Sequence, residues 1–459
     1  ESDKYSKNVI QKPDRAVVSY ANMIRQNFKE TPIVIGGVEA ALRRFAHFDY
    51  WSNKIRRSIL PESRANILVY GNPEYAILEI AKRYNEKKNV DGIPGTCVAR
   101  NKVPEKFNVM PSFKEVSKDK RKFCKMQMMF NNEENLAQKI ADKYILQYKT
   151  RRYTTEELDY IYELGYSRDV PETAKHLKGM QFSVVTHRGC FGNCSFCSIA
   201  LMQGTRIVSR SEESILNEIK KITKHKDFKG YIDDLGGPSA NMYGMDCYKC
   251  HRNCIECDTL DKSHTKIISL MQKAREIKGV KKVFVRSGIR HDLAIESKKY
   301  IEEISKHHIS GYLKIAPEHT SLVVLKLMNK YSPGTLEKFI EYYKEINKDN
   351  WQSLKFYLIA SHPGSTKKEN DYLKRFIREV GRDVILQTFT PTPMTMSTCM
   401  YYTETDPRTG DGVYVPRGFR DKKDQKIDLM NSMGGNMGRS FRHDASKGTS
   451  KPKQTSSQR

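Results

Sequence analysis

Phe182-Ser183-Val184-Val185-Thr186-His187-Arg188-Gly189-Cys190-Phe191-Gly192-Asn193-Cys194-Ser195-Phe196-Cys197 is a β-type run that passes directly into a loop holding three thiols and two glycines. The spacing, three residues then two, supplies one thiolate fewer than a closed four-ligand site needs, so a metal held there keeps an open coordination position. Three thiolates hold three corners of a cubane cluster and leave the fourth iron to a small chelating molecule. Phe196 then offers that molecule a flat apolar face, and Gly189 and Gly192 let the loop curl. Two other readings fit the same residues: zinc with His187 as its fourth ligand, and three neighbouring buried thiols that hold no metal.

Outward from this loop the order repeats. Short β-type runs recur at Tyr231–Leu235, Lys282–Arg286, Tyr312–Ala316, Lys355–Ala360 and Asp383–Gln387, separated mostly by helical segments. Six strands with crossovers point to a barrel or part-barrel, expected over residues 179–400 with a cysteine-rich insertion at 245–258. Parallel barrels carry their ligands on loops at the carboxyl ends of the strands, which is where the cysteine loop falls. Upstream, residues 1–90 alternate helix and strand: an amphipathic helix around Ala16 to Asn27, the run Ile33-Val34-Ile35 entering Gly36-Gly37, and a second apolar run from Asn66 to Tyr70. That pattern predicts an open parallel sheet, a partial Rossmann-like domain. Gly36-Gly37 reads as a tight strand-to-helix turn or as a phosphate cradle. Residues 91–178 carry no strong strand signal, and helical stretches at Asn132 to Tyr148 and Thr155 to Tyr166 make this region a helical connector. A C-terminal extension begins at residue 401, and beyond about 417 its composition predicts disorder.

The totals bound the class. A chain of 459 residues has room for two or three domains. No apolar run is long enough to cross a bilayer, and no charged-then-apolar leader opens the chain, which predicts a cytoplasmic protein without membrane association. The chain opens at Glu1 rather than at a methionine, which reads as a piece of a longer product. Seven of the ten cysteines fall in two tight clusters, an arrangement that favours metal ligation over disulfides. The net charge of +26 fits a polyanionic partner such as RNA; it fits equally a lysine-rich surface of no specific use, because the basic residues are interleaved with acids.

The second cluster, Cys247, Cys250, Cys254 and Cys257 with His251 among them, packs four thiols into eleven residues. Four thiolates close a tetrahedron or saturate a cluster, so the alternatives are structural zinc, a second iron–sulfur cluster, and unligated thiols. Glu318 and His319 follow the fourth barrel strand, where a barrel presents polar groups to its ligand, although a histidine in a polar loop also serves as a surface hydrogen-bonder. Cys399, beyond the last strand, is either a thiol that donates hydrogen or a small buried hydrophobe.

Several separate blocks carry a resemblance: Arg188 to Ala200 around the cysteines, Gly36 to His47, Gly236 to Tyr243, Ser287-Gly288-Ile289-Arg290, Ala316 to Thr320, and Thr390 to Met394. Together they resemble the radical S-adenosylmethionine (SAM) superfamily, and within it the YgiQ-like bacterial branch, over roughly residues 1–417. The resemblance implies an α/β fold, a (β/α)6 partial TIM barrel behind a truncated Rossmann-like, cobalamin-binding-like domain. It implies a [4Fe–4S] cluster on Cys190, Cys194 and Cys197 whose remaining iron is chelated by SAM. Reductive cleavage to a 5′-deoxyadenosyl radical, hydrogen abstraction from a substrate, and a one-electron reductant such as flavodoxin or ferredoxin follow from it. It further implies that Gly236 and Gly237 receive the SAM amino group through backbone oxygens, with Pro238 standing where an acidic residue is often found. Ser287 and Arg290 would meet the ribose and carboxylate, with a structural salt bridge as the other role for Arg290. Glu318 and His319 would bind SAM or act on the substrate. The Asp-x-His-x-x-Gly loop that binds cobalamin in several radical SAM groups does not occur in residues 1–90, so cobalamin is not expected. Two rival classes stand beside the enzyme: an iron–sulfur protein that senses iron or redox state without turnover, and an RNA-binding protein that uses its basic surface.

Overall fold

The computed structural model describes residues 14–131, 135–247 and 254–433, and their main strands fall into two groups. The first is a six-stranded sheet built from Val34–Ile35 (β1), Ile67–Val69 (β2), Thr96–Arg100 (β3), Asn108–Met110 (β4), Leu136–Ile140 (β5) and Lys143–Gln147 (β6), in the order β1-β2-β3-β6-β5-β4. β1 lies parallel to β2, with Val34 opposite Ile67. The next three pairings are antiparallel and the last is parallel, so the sheet is mixed where an open parallel one was expected.

Residues 91–178 are a correction. They contribute β3 to β6 and complete the N-terminal sheet, and of the two predicted helices only Thr155–Glu163 forms. The stretch read as a helix from Asn132 to Tyr148 instead holds a hairpin in its described part, with Ile140 paired to Lys143 and Ala141 turning at φ 57. Leu136 and Ile140 sit four apart, as on a helix face, and Leu136, Ala137 and Gln138 are buried in succession. A strand covered on both faces loses the alternation by which strands are recognised.

Two buried glutamines fasten the preceding segment to this sheet. Gln138 accepts from the Ala46 amide at 2.8 Å, and Gln147 accepts from Arg44 Nε at 2.7 Å. The Arg44 guanidinium lies 4.2 Å from the Tyr70 ring centre and 4.5 Å from that of Phe130. Gly37, at φ 80, opens the helix Gly37–Leu42 after β1, a tight turn that needs the left-handed backbone.

The second group is the barrel. Ser183–Val185 (β7), Tyr231–Ile232 (β8), Asp234–Gly236 (β9), Lys282–Val283 (β10), Tyr312–Glu318 (β11), Ser353–Ala360 (β12) and Val384–Thr388 (β13) correspond to the six predicted runs, the second split in two. β7 pairs with β9, β8 with β10, and β12 with both β11 and β13, all in parallel; a parallel bridge from Ile289 to Ile315 joins the two sides. No ladder joins β13 back to β7 among the described residues, so the strands form an arc, a partial barrel. Helices Glu212–Ile222, Thr265–Glu276, Thr335–Ile346 and Lys367–Val380 set Ile219, Leu270, Phe339 and Ile377 into one core with the strands. After β13 the chain turns back, and Phe389, Met394, Cys399 and Tyr401 join the core of the N-terminal domain beside Phe45 and Phe48.

The expected disorder after residue 417 is also corrected. Phe419–Asn431 is a helix whose Leu429 is fully buried in the barrel core, and Gln425 bonds Ser361 Oγ at 2.9 Å and the Ser365 carbonyl at 3.1 Å. Its polar composition misled because a helix with one apolar contact stripe still reads as hydrophilic; residues 434–459 lie outside the described residues. Leu429→Ala is expected to lower stability by about 2–5 kcal/mol, the cost of a buried leucine cavity. Urea unfolding measures it, and an unchanged midpoint would mean that the helix is not docked.

Candidate active site

The cysteine loop leaves β7 and is pinched at its base, where His187–Arg188 pairs antiparallel with Val208–Ser209. Gly189 stands at φ 88, and a Cβ there would lie 1.9 Å from the Arg206 carbonyl oxygen. Cys190 N donates to the Gly204 carbonyl at 3.1 Å, and Cys197 N donates to the Cys194 carbonyl at 2.9 Å. Two distant segments hold the tip. Ser195 N donates to the Met328 carbonyl at 2.8 Å, and the Ser195 carbonyl accepts from Ser397 N at 2.8 Å, at the start of helix Met396–Thr403.

Burial pushes the Cys190 thiol up, and it pushes Cys197 up to about 11, with each feeling the charge of its neighbouring cysteines. A metal cation displaces the protons of such thiols into water as it binds, and thiolate is the soft donor that iron and zinc take. A fixed cation is already at hand. Arg290, nearly sealed from solvent, places Nη1 3.7 Å from Cys194 Sγ and is gripped by Asp292 through Nε at 3.0 Å and Nη2 at 2.5 Å. Burial works to raise the Asp292 carboxyl, but the Arg290 charge outweighs it and holds it well below the usual carboxylate range. A Cβ on Gly192 would stand 2.5 Å from Arg290 Nη1 and 3.4 Å from Cys190 Sγ; the glycine is the space the guanidinium needs.

Around the barrel mouth, Gly236 ends β9 and Gly237 follows it. A Cβ on Gly236 would meet Ser287 Oγ at 2.9 Å, and one on Gly237 would meet His187 Cε1 at 2.5 Å. Ser287 is committed to Asp234: its hydroxyl donates to Oδ2, and its amide donates to Oδ1 at 3.0 Å. Glu318 ends β11 in a left-handed conformation at φ 69, 3.6 Å from Lys330 Nζ. Burial raises its carboxyl and Lys330 opposes the rise. Lys330, which also donates to the Ala316 carbonyl, is a buried cation that sequence reading missed, because no motif surrounds it. Glu318, Lys330 and Arg290 lie within electrostatic reach of the cysteine thiols. His319 is fully buried with its pKa lowered to about 3 by burial. Its Nδ1 accepts from Ser321 N at 3.0 Å, which assigns the proton to Nε2, a buried donor with no partner among the described residues.

Two expected residues and the second cysteine cluster sit elsewhere or only in part here. Cys399 is a correction: it is fully buried in the N-terminal core, 3.9 Å from Cys124 Sγ, and a thiol sealed there cannot reach a substrate. Phe196 stands edge-on to His362, 6.2 Å between centres, and packs against the same core. Of the second cluster, Cys247, Cys254 and Cys257 pack around Met242, Met245 and Leu260 together with Cys190; Cys250 and His251 lie outside the described residues.

Gly189→Ala is expected to cost more than about 1 kcal/mol, since both the backbone conformation and the Arg206 carbonyl reject a methyl group. The unfolding midpoint of the purified variant measures it. The buried rings add a pH dependence. His319 and His362 are both held at about 3 by burial, against about 6.5 in the unfolded chain. The unfolded state therefore binds more protons between these values, so their contribution is complete above pH 6.5 and is lost as pH falls towards 3, at up to about 1.4 kcal/mol per pH unit for each ring. Urea midpoints at pH 7, 6 and 5 should fall in that order, and a flat profile would show that the rings charge in place.

Comparison with known proteins places this geometry. A family model described as Radical SAM N-terminal matches residues 1–183, and one described as Radical SAM superfamily matches residues 184–377. A UPF0313 protein of Methanocaldococcus jannaschii is 42% identical over 453 residues, covering 92% of this chain and 75% of its own length. A UPF0313 protein of Clostridium perfringens is 40% identical over 449 residues, covering 90% and 68%. Among solved structures, the radical SAM methyltransferase TsrM of Kitasatospora setae, with cobalamin and a [4Fe-4S] cluster bound, is similar at a TM-score of 0.50 and 12% identity, over 91% of this chain and 76% of that one. That likeness is one of fold. No helix among the described residues is long and apolar enough to cross a membrane. In motifs, fold and relatives, the chain belongs to the UPF0313 family, a YgiQ-like branch of the radical SAM superfamily of enzymes, whose shared domain takes a [4Fe–4S] cluster and SAM.

Proposed function

We propose that this protein is a hydrogen-abstracting radical SAM enzyme of an oxygen-poor cytoplasm, with Cys190, Cys194 and Cys197 as the protein ligands of its cluster. The single observation that carries this reading is the loop itself: three thiols at the carboxyl end of the first barrel strand, with the Arg290 guanidinium 3.7 Å from Cys194 Sγ. The residues fit the group. Thiolate is the donor that iron–sulfur clusters take, three donors leave one iron for SAM, and Gly192 keeps clear the space beside Cys190 and Arg290. When bound, the cluster supplies one electron to the sulfonium of SAM, which yields methionine and the 5′-deoxyadenosyl radical that takes hydrogen from the substrate.

The chain's own groups divide the remaining work. Arg290, fixed by Asp292, offsets the thiolate charge and takes that structural role instead of a contact to the SAM carboxylate. Gly237 presents its backbone oxygen to the amino group of SAM, while the Gly236 carbonyl, which accepts from Thr186 N at 2.8 Å and Thr186 Oγ1 at 3.2 Å, holds the strand end in place. Ser287, held by Asp234, keeps the end of β9 in place beside the ribose. Glu318, whose carboxyl is raised by burial, holds or releases a proton at its oxygens, and His319 Nε2 donates a hydrogen bond to SAM or substrate. Cys247, Cys250, Cys254 and Cys257 form a second metal site next to the first, since three of them share an apolar cluster with Cys190.

Protein reconstituted without oxygen and given SAM and dithionite should form 5′-deoxyadenosine, and Cys194→Ala should form none above background. Iron incorporation without SAM cleavage would reject the enzyme in favour of a sensor.

A further inference from the structure

The cysteine loop is reached from a second side. A cavity of about 220 Å³ is lined by Cys194 and Cys197 together with Met128 and Asn131 of the N-terminal domain and Met394 and Arg408 of the C-terminal segment. Gly236, Gly237, Arg290 and Glu318 do not line it, so it is separate from the barrel mouth where SAM and substrate are placed above.

Met128 and Asn131 come from the end of helix Lys120–Phe130, whose sequence is unusual for its position. It carries Lys120, Arg121, Lys122 and Lys125 and no acidic residue, and three of these cations occupy the first turn. The positive end of the helix dipole disfavours cations there; the N-cap Asp119, which accepts from Arg121 N at 2.7 Å and Lys122 N at 3.4 Å, offsets them in part, and ion pairs account for two of the three. The helix buries Phe123, Met126, Gln127 and Phe130 and exposes Arg121, Lys125 and Met128, which stand at i, i+4 and i+7 on one face. Lys120 and Lys122 are engaged with Glu404 and Glu115, at 3.5 and 3.6 Å. Arg121 and Lys125 have no acidic partner within 4.0 Å among the described residues. From Arg121 to Met128 the helix rises about 10 Å, so the charged face leads straight to the opening over Cys194 and Cys197.

We propose that this face is the docking site of an acidic one-electron carrier protein, which brings its flavin or iron–sulfur group to the outer side of the cysteine loop. The inference rests on the reductive reading above. One electron leaves the carrier and enters the cluster, and no bond or proton moves in that step. Redox encounters are small and transient, and they depend on charge steering more than on area, which suits a basic stripe beside a narrow opening.

The test compares two reductants on the reconstituted full chain, with 5′-deoxyadenosine as the readout. For Arg121→Glu/Lys125→Glu, dithionite-driven cleavage should equal that of the unaltered protein. Cleavage driven by subsaturating reduced flavodoxin should fall about tenfold or more, with a higher KM for flavodoxin and a weaker dependence on salt. Arg121→Ala/Lys125→Ala, which keeps good helix formers, should show the same pattern at smaller amplitude. Flavodoxin kinetics equal to those of the unaltered protein would overturn the proposal, as would equal slowing with both reductants. Loss of binding to a structured RNA, with flavodoxin kinetics intact, would assign the stripe to RNA instead. If the unaltered protein cleaves no SAM with dithionite, the reductive reading fails by itself, and the salt-dependent affinity of flavodoxin for the two chains still decides the docking site.

Discussion

A guanidinium sealed from water beside three thiols is the charge on which the rest of this structure depends. Arg290 cannot stay buried unless Asp292 grips it, and it cannot approach Cys194 unless residue 192 lacks a side chain. Removing one member of such a pair leaves an uncompensated charge in a low-dielectric setting, at a cost of about 3–5 kcal/mol. The pair therefore ties the segment after the third barrel strand, where Arg290 caps the helix His291–Ala294, to the loop after the first. The fixed cation lies where thiolate charge gathers, so it also shapes the chemistry the loop can support.

The loop is a seam as well as a site. Its tip is bonded by Met328 from the barrel and by Ser397 from the segment that returns to the N-terminal core. That segment buries Phe389, Met394, Cys399 and Tyr401 against Phe45 and Phe48, so the N-terminal domain braces the loop from behind. The arrangement leaves the thiols two approaches, one from the strand ends and one between the domains. Chemistry that needs an electron from one direction and a substrate from another has a use for both.

Where local pattern governed, sequence reading and structure agree. Six short β-type runs separated by helices returned as the parallel strands of the barrel, because a parallel strand between helices is a plain apolar run whatever its neighbours. The same plainness failed in the N-terminal sheet. β5 and β6 are buried on both faces, so Leu136 and Ile140 mimic a helix, and nothing local says that Gln138 and Gln147 point inward to bond Ala46 and Arg44. The helix Phe419–Asn431 escaped notice for a related reason: its order comes from a contact made by Leu429 with a core assembled almost entirely from earlier residues.

The number, spacing and glycine neighbours of the thiols after β7 are written in consecutive residues, and with the other sequence blocks they carried the resemblance to the superfamily without any coordinates, zinc and unligated thiols standing beside it as readings of the loop alone. Only tertiary folding decided which distant side chains attend them. Arg290 and Lys330 arrive from separate crossovers, while Cys399, equally suggestive on paper, is carried into the opposite core to meet Cys124. The reason is one of range: a coordination motif is a property of one loop, whereas the charges that surround it are fixed by how strands far apart in the chain pack side by side.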